Sequence, residues 1–429
     1  MSSFTIGSAL ILFFAMLLVG TPIAICLANV GIAWILSTPS LPNMTFATKI
    51  IGSTDSFSLM AIPFFMMAGQ LMEHTGITEK FVAFSKSIVG HITGGMAHTS
   101  MVSGIIMAGV SGSGNADSAA IGAMMIPAMV DEGYEEGFAC NVIAAAGCLG
   151  PIIPPSIMMI VFANAADYSV GKLFMGGVVP GLLLAFCGMF VCYMYAKRRG
   201  IPKDKFGGVK NIFVTFFRSL GALIMPAIII VGITTGICTA TEAGVLASIY
   251  GLAYGLIGRK LNFRKIRECL LDACISAAGP LLIITYSGIF SYMLTRLNAS
   301  RMIGNFCVQY IHGEVAFYFF MLILGLILGC FIDGLASTVM LIPVLSPIAV
   351  QLGLNYQQFA IIYLLSLLTS QLTPPVGNLL FVAAGIRKTP IGQVYRFCWP
   401  FVIAMIVAII FCIFIPGLSC WLPGLIYGS

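Results

Sequence analysis

Long apolar runs, separated by short polar breaks rich in glycine or proline, order the chain from end to end. A helix needs roughly 20 apolar residues to cross about 30 Å of hydrocarbon. Phe4 to Leu36, with Thr21-Pro22 in its middle, predicts two crossings, and Ser58 to Met72 predicts a third. Gly94 to Val110 and Asp117 to Val130 are each short for a crossing, and the polar stretch Ser111-Gly112-Ser113-Gly114-Asn115-Ala116-Asp117 lies between them. This pattern predicts a re-entrant hairpin over 94–131. Phe138 to Ala165 predicts one crossing (138–165) broken at Gly150-Pro151-Ile152-Ile153-Pro154-Pro155, where proline removes amide donors and fixes φ. Lys172 to Ala196 predicts a plain crossing.

The same order of elements recurs after a basic segment, 197–218. Ala222 to Gly258 predicts two crossings, Ile275 to Leu294 a third, and Val315 to Val350 a second hairpin (315–350) turning near Ile332-Asp333-Gly334. Phe359 to Gly385 predicts a second broken crossing (359–385), interrupted at Leu372-Thr373-Pro374-Pro375-Val376-Gly377-Asn378, and Val394 to Ile415 closes the set. Sliding Asp117–Pro127 onto Asp333–Pro343 gives five identities in eleven positions, and a further four-residue insertion brings Pro154-Pro155 onto Pro374-Pro375. The chain thus divides into a first repeat, 1–196, a basic linker, 197–218, and a second repeat, 219–429. Five crossings and one hairpin per repeat make the second copy inverted in the membrane. The predicted fold class is an all-α polytopic membrane protein of two inverted-topology repeats.

Charge gives an independent check on this topology. With the amino terminus outside, segments 73–92, 197–218, 258–274 and 386–396 fall on the cytoplasmic side and carry 17 of the 21 Lys and Arg residues. Both termini are then external. Met1 to Leu10 lacks a basic region and a cleavage site and is expected to be a retained first span. Only 8% of residues are charged and 59% are apolar, which excludes an ordinary soluble globule. The basic residues sit in loops poor in aromatics, which argues against nucleic acid as a partner. Thirteen cysteines without a CxxC pair suggest neither a disulfide framework nor a zinc site.

Three acidic residues, Asp117, Asp333 and Glu242, fall deep in this parse, and an intramembrane carboxylate usually has a function. Asp117 and Asp333 suit a small cation such as sodium or a proton, because no intramembrane Lys or Arg partners them; helix capping is the alternative role. Glu242 lies at a short turn and serves equally well as a solvated interfacial residue. Ser111, Ser113 and Asn115 supply neutral oxygens that suit an alkali cation or a polar substrate, and Ser370, Gln371, Thr373 and Asn378 surround the second break. Unwound segments facing hairpin tips offer carbonyls to cations and amides to carboxylates. Inverted repeats with discontinuous helices are a design of secondary transporters.

Ala61-Ile62-Pro63-Phe64-Phe65 with Ala68-Gly69, the Ser111–Asp117 tip, Gly150-Pro-Ile-Ile-Pro-Pro-Ser156, Asp333-Gly334 and Leu372-Thr-Pro-Pro-Val-Gly-Asn378 resemble the large membrane subunit of tripartite ATP-independent periplasmic (TRAP) transporters over essentially the whole chain. The resemblance implies a sodium-driven importer of an organic acid (sialic acid, a C4-dicarboxylate or a sugar acid) in the bacterial inner membrane. It implies an elevator mechanism and no enzymatic activity or cofactor beyond sodium as coupling ion. Two protein partners are implied: a small four-helix membrane subunit, expected as a separate polypeptide, and a periplasmic substrate-binding protein. By the same resemblance one sodium site combines Ser111, Ser113, Asn115 and Asp117 with Gly150 and Pro154, and a second combines Asp333 with Ser370, Thr373 and Gly377. Substrate would lie between them, at Ser113, Asn115, Ser156, Thr373 and Asn378. A self-sufficient sodium/carboxylate symporter of elevator type is the alternative, and an intramembrane aspartyl protease built on the two Asp residues is a remote one.

Overall fold

The computed structural model describes residues 5–42, 44–311 and 313–428, and every regular element among them is helical. The first four residues of the expected amino-terminal span lie outside the described residues. The first half contains α1 (Ile6–Leu18), α2 (Ile23–Leu36), α3 (Met44–Thr54), α4 (Ala61–Glu73), α5 (Ile77–Val89), α6 (Gly95–Ser111), α7 (Gly114–Asp131), α8 (Glu136–Gly147), α9 (Ile157–Ala166) and α10 (Val170–Arg199). The second contains α11 (Val209–Thr234), α12 (Ala240–Ile257), α13 (Phe263–Arg296), α14 (Ala299–Tyr310), α15 (Glu314–Gly329), α16 (Gly334–Gln351), α17 (Tyr356–Ser370), α18 (Asn378–Arg387), α19 (Ile391–Phe414) and α20 (Gly417–Tyr427). Both hairpins (α6–α7 and α15–α16) and both broken crossings (α8–α9 and α17–α18) are present.

Helix by helix α11–α19 repeat α1–α10, with α13 standing where α3 and α4 stand and α20 added at the end, but in a different register from the expected one. Gly114 and Gly334 open α7 and α16, Glu136 and Tyr356 open α8 and α17, and Pro127 and Pro347 sit inside α7 and α16; each pair has the 220-residue separation of Cys148 and Leu368. The two Pro-Pro breaks and Pro180 with Pro400 keep the same spacing. No insertion is needed. Asp333 therefore corresponds to Ser113, and Asp117 to Ser337. The slide that paired the two Asp residues was wrong by four residues, about one helical turn. A shift of one turn keeps small and apolar residues on the same helix face, which is why it still produced identities.

Packing is reciprocal, as an approximate twofold axis requires. α7 packs on α18 as α16 packs on α9, α8 meets α19 as α17 meets α10, and α4 meets α12 as α13 meets α2. Close to the axis, the Cys148 thiol donates to the carbonyl of its own counterpart, Leu368, at 3.3 Å. In the outer layer α4 lies between α12 and α13, where small residues allow close approach. Ser248 donates to the Phe64 carbonyl at 2.8 Å, and Thr241 to that of Phe57 at 2.6 Å.

Several boundaries differ from the expected ones. Among the described residues, α10, α11, α12, α13, α16 and α19 are each long and apolar enough to cross a membrane, and α3 with α4, bent by 60°, makes a seventh as a pair. α1 and α2, with 13 and 14 residues, are each only about 20 Å long, less than the two full crossings expected there. α16, an arm of the second hairpin, is itself span-length. The expected basic loop 258–274 is helical from Phe263, because the Asn262 side chain accepts from the Lys265 amide and starts the 34-residue α13. Likewise 73–92 contains the amphipathic α5, and within 197–218 only 200–208 is irregular. Glu242 is not deep: it is exposed and forms a capping box with Thr239 at the start of α12.

Candidate ion and substrate site

Each hairpin tip is docked against the break in its own half. At the first, Gly112 has φ 62° and closes α6 in a left-handed turn, and a Cβ there would lie 2.4 Å from the Pro155 carbonyl oxygen. Glycine is the residue that meets both demands. Behind the tip Asp117 is fully buried, one turn into α7. Its Oδ1 accepts from the Ser111 hydroxyl at 2.6 Å, and the Ser111 oxygen itself accepts from the Ser113 amide at 3.0 Å. Asp117 Oδ2 is buried without a hydrogen-bond partner. It faces Gly150, where a Cβ would come within 2.6 Å of it. A carboxylate oxygen sealed from water and left unpaired costs more than the ~1–3 kcal/mol of a neutral group, so the position calls for a cation or a proton.

The second tip uses its carboxylate differently. Asp333 is the N-cap of α16, its Oδ1 accepting from the Leu335 amide at 2.9 Å, and it is half-buried. Its counterpart Ser113 is the N-cap of α7, while Ser337, the counterpart of Asp117, is buried with an unpartnered hydroxyl. The Cys330 thiol points at the carbonyls of Thr373 and Pro374 at 3.7 Å, and Gly329 lies so close to Ser370 that a Cβ would fall 1.9 Å from its hydroxyl. Ser370 and Thr373 donate to the Leu367 and Thr369 carbonyls at the end of α17, Thr373 from the break that follows it. Gly377, in the left-handed region, starts α18.

A cavity of about 580 Å³ lies where the tips approach the outer helices. Ser111, Ser113, Asn115, Asp117 and Asp333 line it; Gly150, Pro154, Ser156, Ser370, Thr373, Gly377 and Asn378 do not. Ser156 is fully buried, donating to the Pro151 carbonyl at 2.5 Å and accepting from the Met159 amide at 3.1 Å, which leaves it no contact with the cavity. Asn378 reaches Asn115 instead, its Nδ2 donating to Oδ1 at 3.4 Å across the two halves. On the opposite side, Gly334, next to the Asn115 counterpart Leu335, lies against Met158, the counterpart of Asn378. The opposite wall was missed from the sequence: Gln70 and Glu73 on α4 and Ser276 and Pro280 on α13; Gln371, singled out at the second break, also lines the cavity. The signal was present in Gln70 and Glu73, two polar residues three apart on an otherwise apolar helix.

The family model for the DctM component of tripartite ATP-independent periplasmic transporters matches residues 10–418. The chain is 31% identical over 421 residues to the sialic acid TRAP transporter large permease protein SiaM of Vibrio cholerae, covering 96% of this chain and 97% of that one. To the C4-dicarboxylate TRAP transporter large permease protein DctM of Rhodobacter capsulatus it is 31% identical over 440 residues, covering 98% and 99%. To the isethionate TRAP transporter permease protein DctMQ of Oleidesulfovibrio alaskensis it is 35% identical over 410 residues, spanning 95% of this chain but only 65% of that relative. Among solved structures, the YdaH transporter of Alcanivorax borkumensis, described as having an unusual topology, is similar with a TM-score of 0.66 at 12% identity, covering 97% and 99% of the two chains. At that identity the likeness is one of fold. With half a dozen span-length helices and a family match over nearly its full length, the chain belongs to the DctM component family of TRAP transporters, as a multi-span membrane permease and not an enzyme.

Proposed function

We propose that this chain carries an organic acid across the bacterial inner membrane in symport with sodium, receiving it from a periplasmic binding protein and working beside a small membrane subunit. The observation that carries the reading is Asp117 Oδ2, buried, unpaired and set against the backbone of the first break. A sodium ion there would balance the carboxylate and draw on carbonyls that unwinding leaves free at Gly150 and Pro154. A second ion is assigned to Asp333 with the Ser370, Thr373 and Gly377 turn. The substrate carboxylate would meet the bound sodium together with the hydroxyl and amide groups of Ser111, Ser113 and Asn115.

The packing suits an elevator. The hairpins and broken helices (α6–α9, α15–α18) with α10 and α19 can be taken as one body and α1–α4 with α11–α13 as another, the two meeting where α4 packs on α6 and α13 on α16. The first would slide against the second, with the repeats 1–196 and 219–429 exchanging conformations. The wall contributed by the second body consists of the end of α4, which enters the basic segment 73–92, and the middle of α13, from Ser276 to Ile283, which follows the basic segment 258–274. If those segments are cytoplasmic and both termini periplasmic, the cavity lies toward the inside, as in an inward-facing state. Uptake by vesicles holding this chain and its small subunit, with loaded binding protein outside, tests the reading. Accumulation should require an inward sodium gradient. Uptake driven equally by a potassium gradient, or undiminished without the binding protein, overturns it.

A further inference from the structure

This inference rests on the function proposed above and concerns which acid the cavity accepts. Asp117, Asp333 and Glu73 all line the cavity, while among the described residues no Lys or Arg does. Glu73 makes no salt bridge among the described residues. Its place is fixed by α4: Gly69, one turn earlier on the same face, approaches the first tip so closely that a Cβ would lie 3.5 Å from Ser111 Cα. Gln70 and Glu73 continue that face along the cavity wall. On α13, Ser276 lines the wall and Asp272, one turn earlier, adds a charge of the same sign at that end.

Sodium at Asp117 and Asp333 would cancel those two charges and leave Glu73 uncancelled. One substrate carboxylate at the tips can then be met by sodium and by neutral donors. A second anionic group reaching toward α4 would meet Glu73, and among the described residues no Lys or Arg lines the cavity to offset the repulsion. Gln70 and Ser276 instead offer hydrogen bonds to hydroxyl or amide groups. We propose that Glu73 is a charge filter that admits acids with a single anionic group and an uncharged polar far end, and rejects dicarboxylates. Discrimination by a built-in repulsion is a common route to specificity.

Ligand-dependent thermal stabilisation of the full chain in lipid nanodiscs, in sodium at neutral pH, tests this with succinate against its monomethyl ester, and with malate against gluconate. The singly charged member of each pair should bind about tenfold more tightly, as expected for one like charge at close range on a side chain exposed to the cavity. Glu73→Gln should reduce the difference to within about threefold, and Glu73→Asp should keep it. Equal binding of the paired acids to the unaltered protein overturns the filter, and so does an undiminished difference in Glu73→Gln. If that variant fails to fold, the ester comparison on the unaltered chain still decides. Sodium-dependent binding of neither class would instead overturn the function on which the filter rests.

Discussion

Asp117 and Asp333 both place a carboxyl group at a hairpin tip, yet they are not equivalent. Asp117 has one oxygen held by Ser111 and one with nothing to satisfy it, whereas Asp333 is already engaged with the Leu335 amide as a helix cap. Asp117→Asn should therefore weaken sodium binding by well over tenfold, since it removes the charge from a site with no other compensation. Asp333→Asn, which can still cap α16, should weaken it by about tenfold or less. Sodium titrations of thermal stability in the two variants measure the contrast, and equal losses would contradict it. The carboxylates themselves were legible in the sequence because a charge inside an apolar run is conspicuous. Their inequality was not, because it depends on where each helix begins, and a slide of one turn conceals that.

The elements that could be read from sequence are those marked by chemistry that breaks helices. Gly112, with its left-handed φ and its approach to Pro155, ends α6 where the polar tip begins. Gly112→Ala should destabilise the docked tip by about 1–3 kcal/mol and lower sodium affinity without dissolving α6 or α7. Thermal unfolding with and without sodium would separate these effects. The capping box at the start of α12 belongs to the outer body, so Thr239→Ala should lower stability by about 1 kcal/mol and leave sodium affinity unchanged. Altered sodium affinity in that variant would mean that the end of α12 communicates with the tips. Polarity misled where charge and helix coexist: Arg264, Lys265 and Arg267 suggested a loop, but their long side chains can reach water from an α-helix, and α13 runs through them. Ser156 looked like a substrate contact for a related reason, because composition does not reveal that a break has already used its own hydroxyl.

At the scale of the whole molecule, the contact between Gly69 and the first tip joins the two bodies that the proposed mechanism must separate. Cβ atoms at 69 and 111 would lie 3.7 Å apart, within the range a disulfide bridges. In a background without the native cysteines, the pair Gly69→Cys and Ser111→Cys should keep only part of the uptake, since Ser111 belongs to the proposed ion site, and oxidation should abolish what remains until the bridge is reduced. Continued transport by the bridged protein would exclude sliding of the hairpins past α4. The duplicated architecture was visible in the order of helices and in the charge of the connecting segments; the cavity wall on α4 and α13 was not, because it forms only when distant helices pack. The twofold relation between the halves has one further consequence. Swapping their conformations places Ser337 where Asp117 had stood and Ser113 where Asp333 had stood, so the two extremes of the cycle are chemically distinct compartments. An empty carrier should then rest unequally between its two faces, with the preferred side set by which carboxylate is the more costly to leave bare.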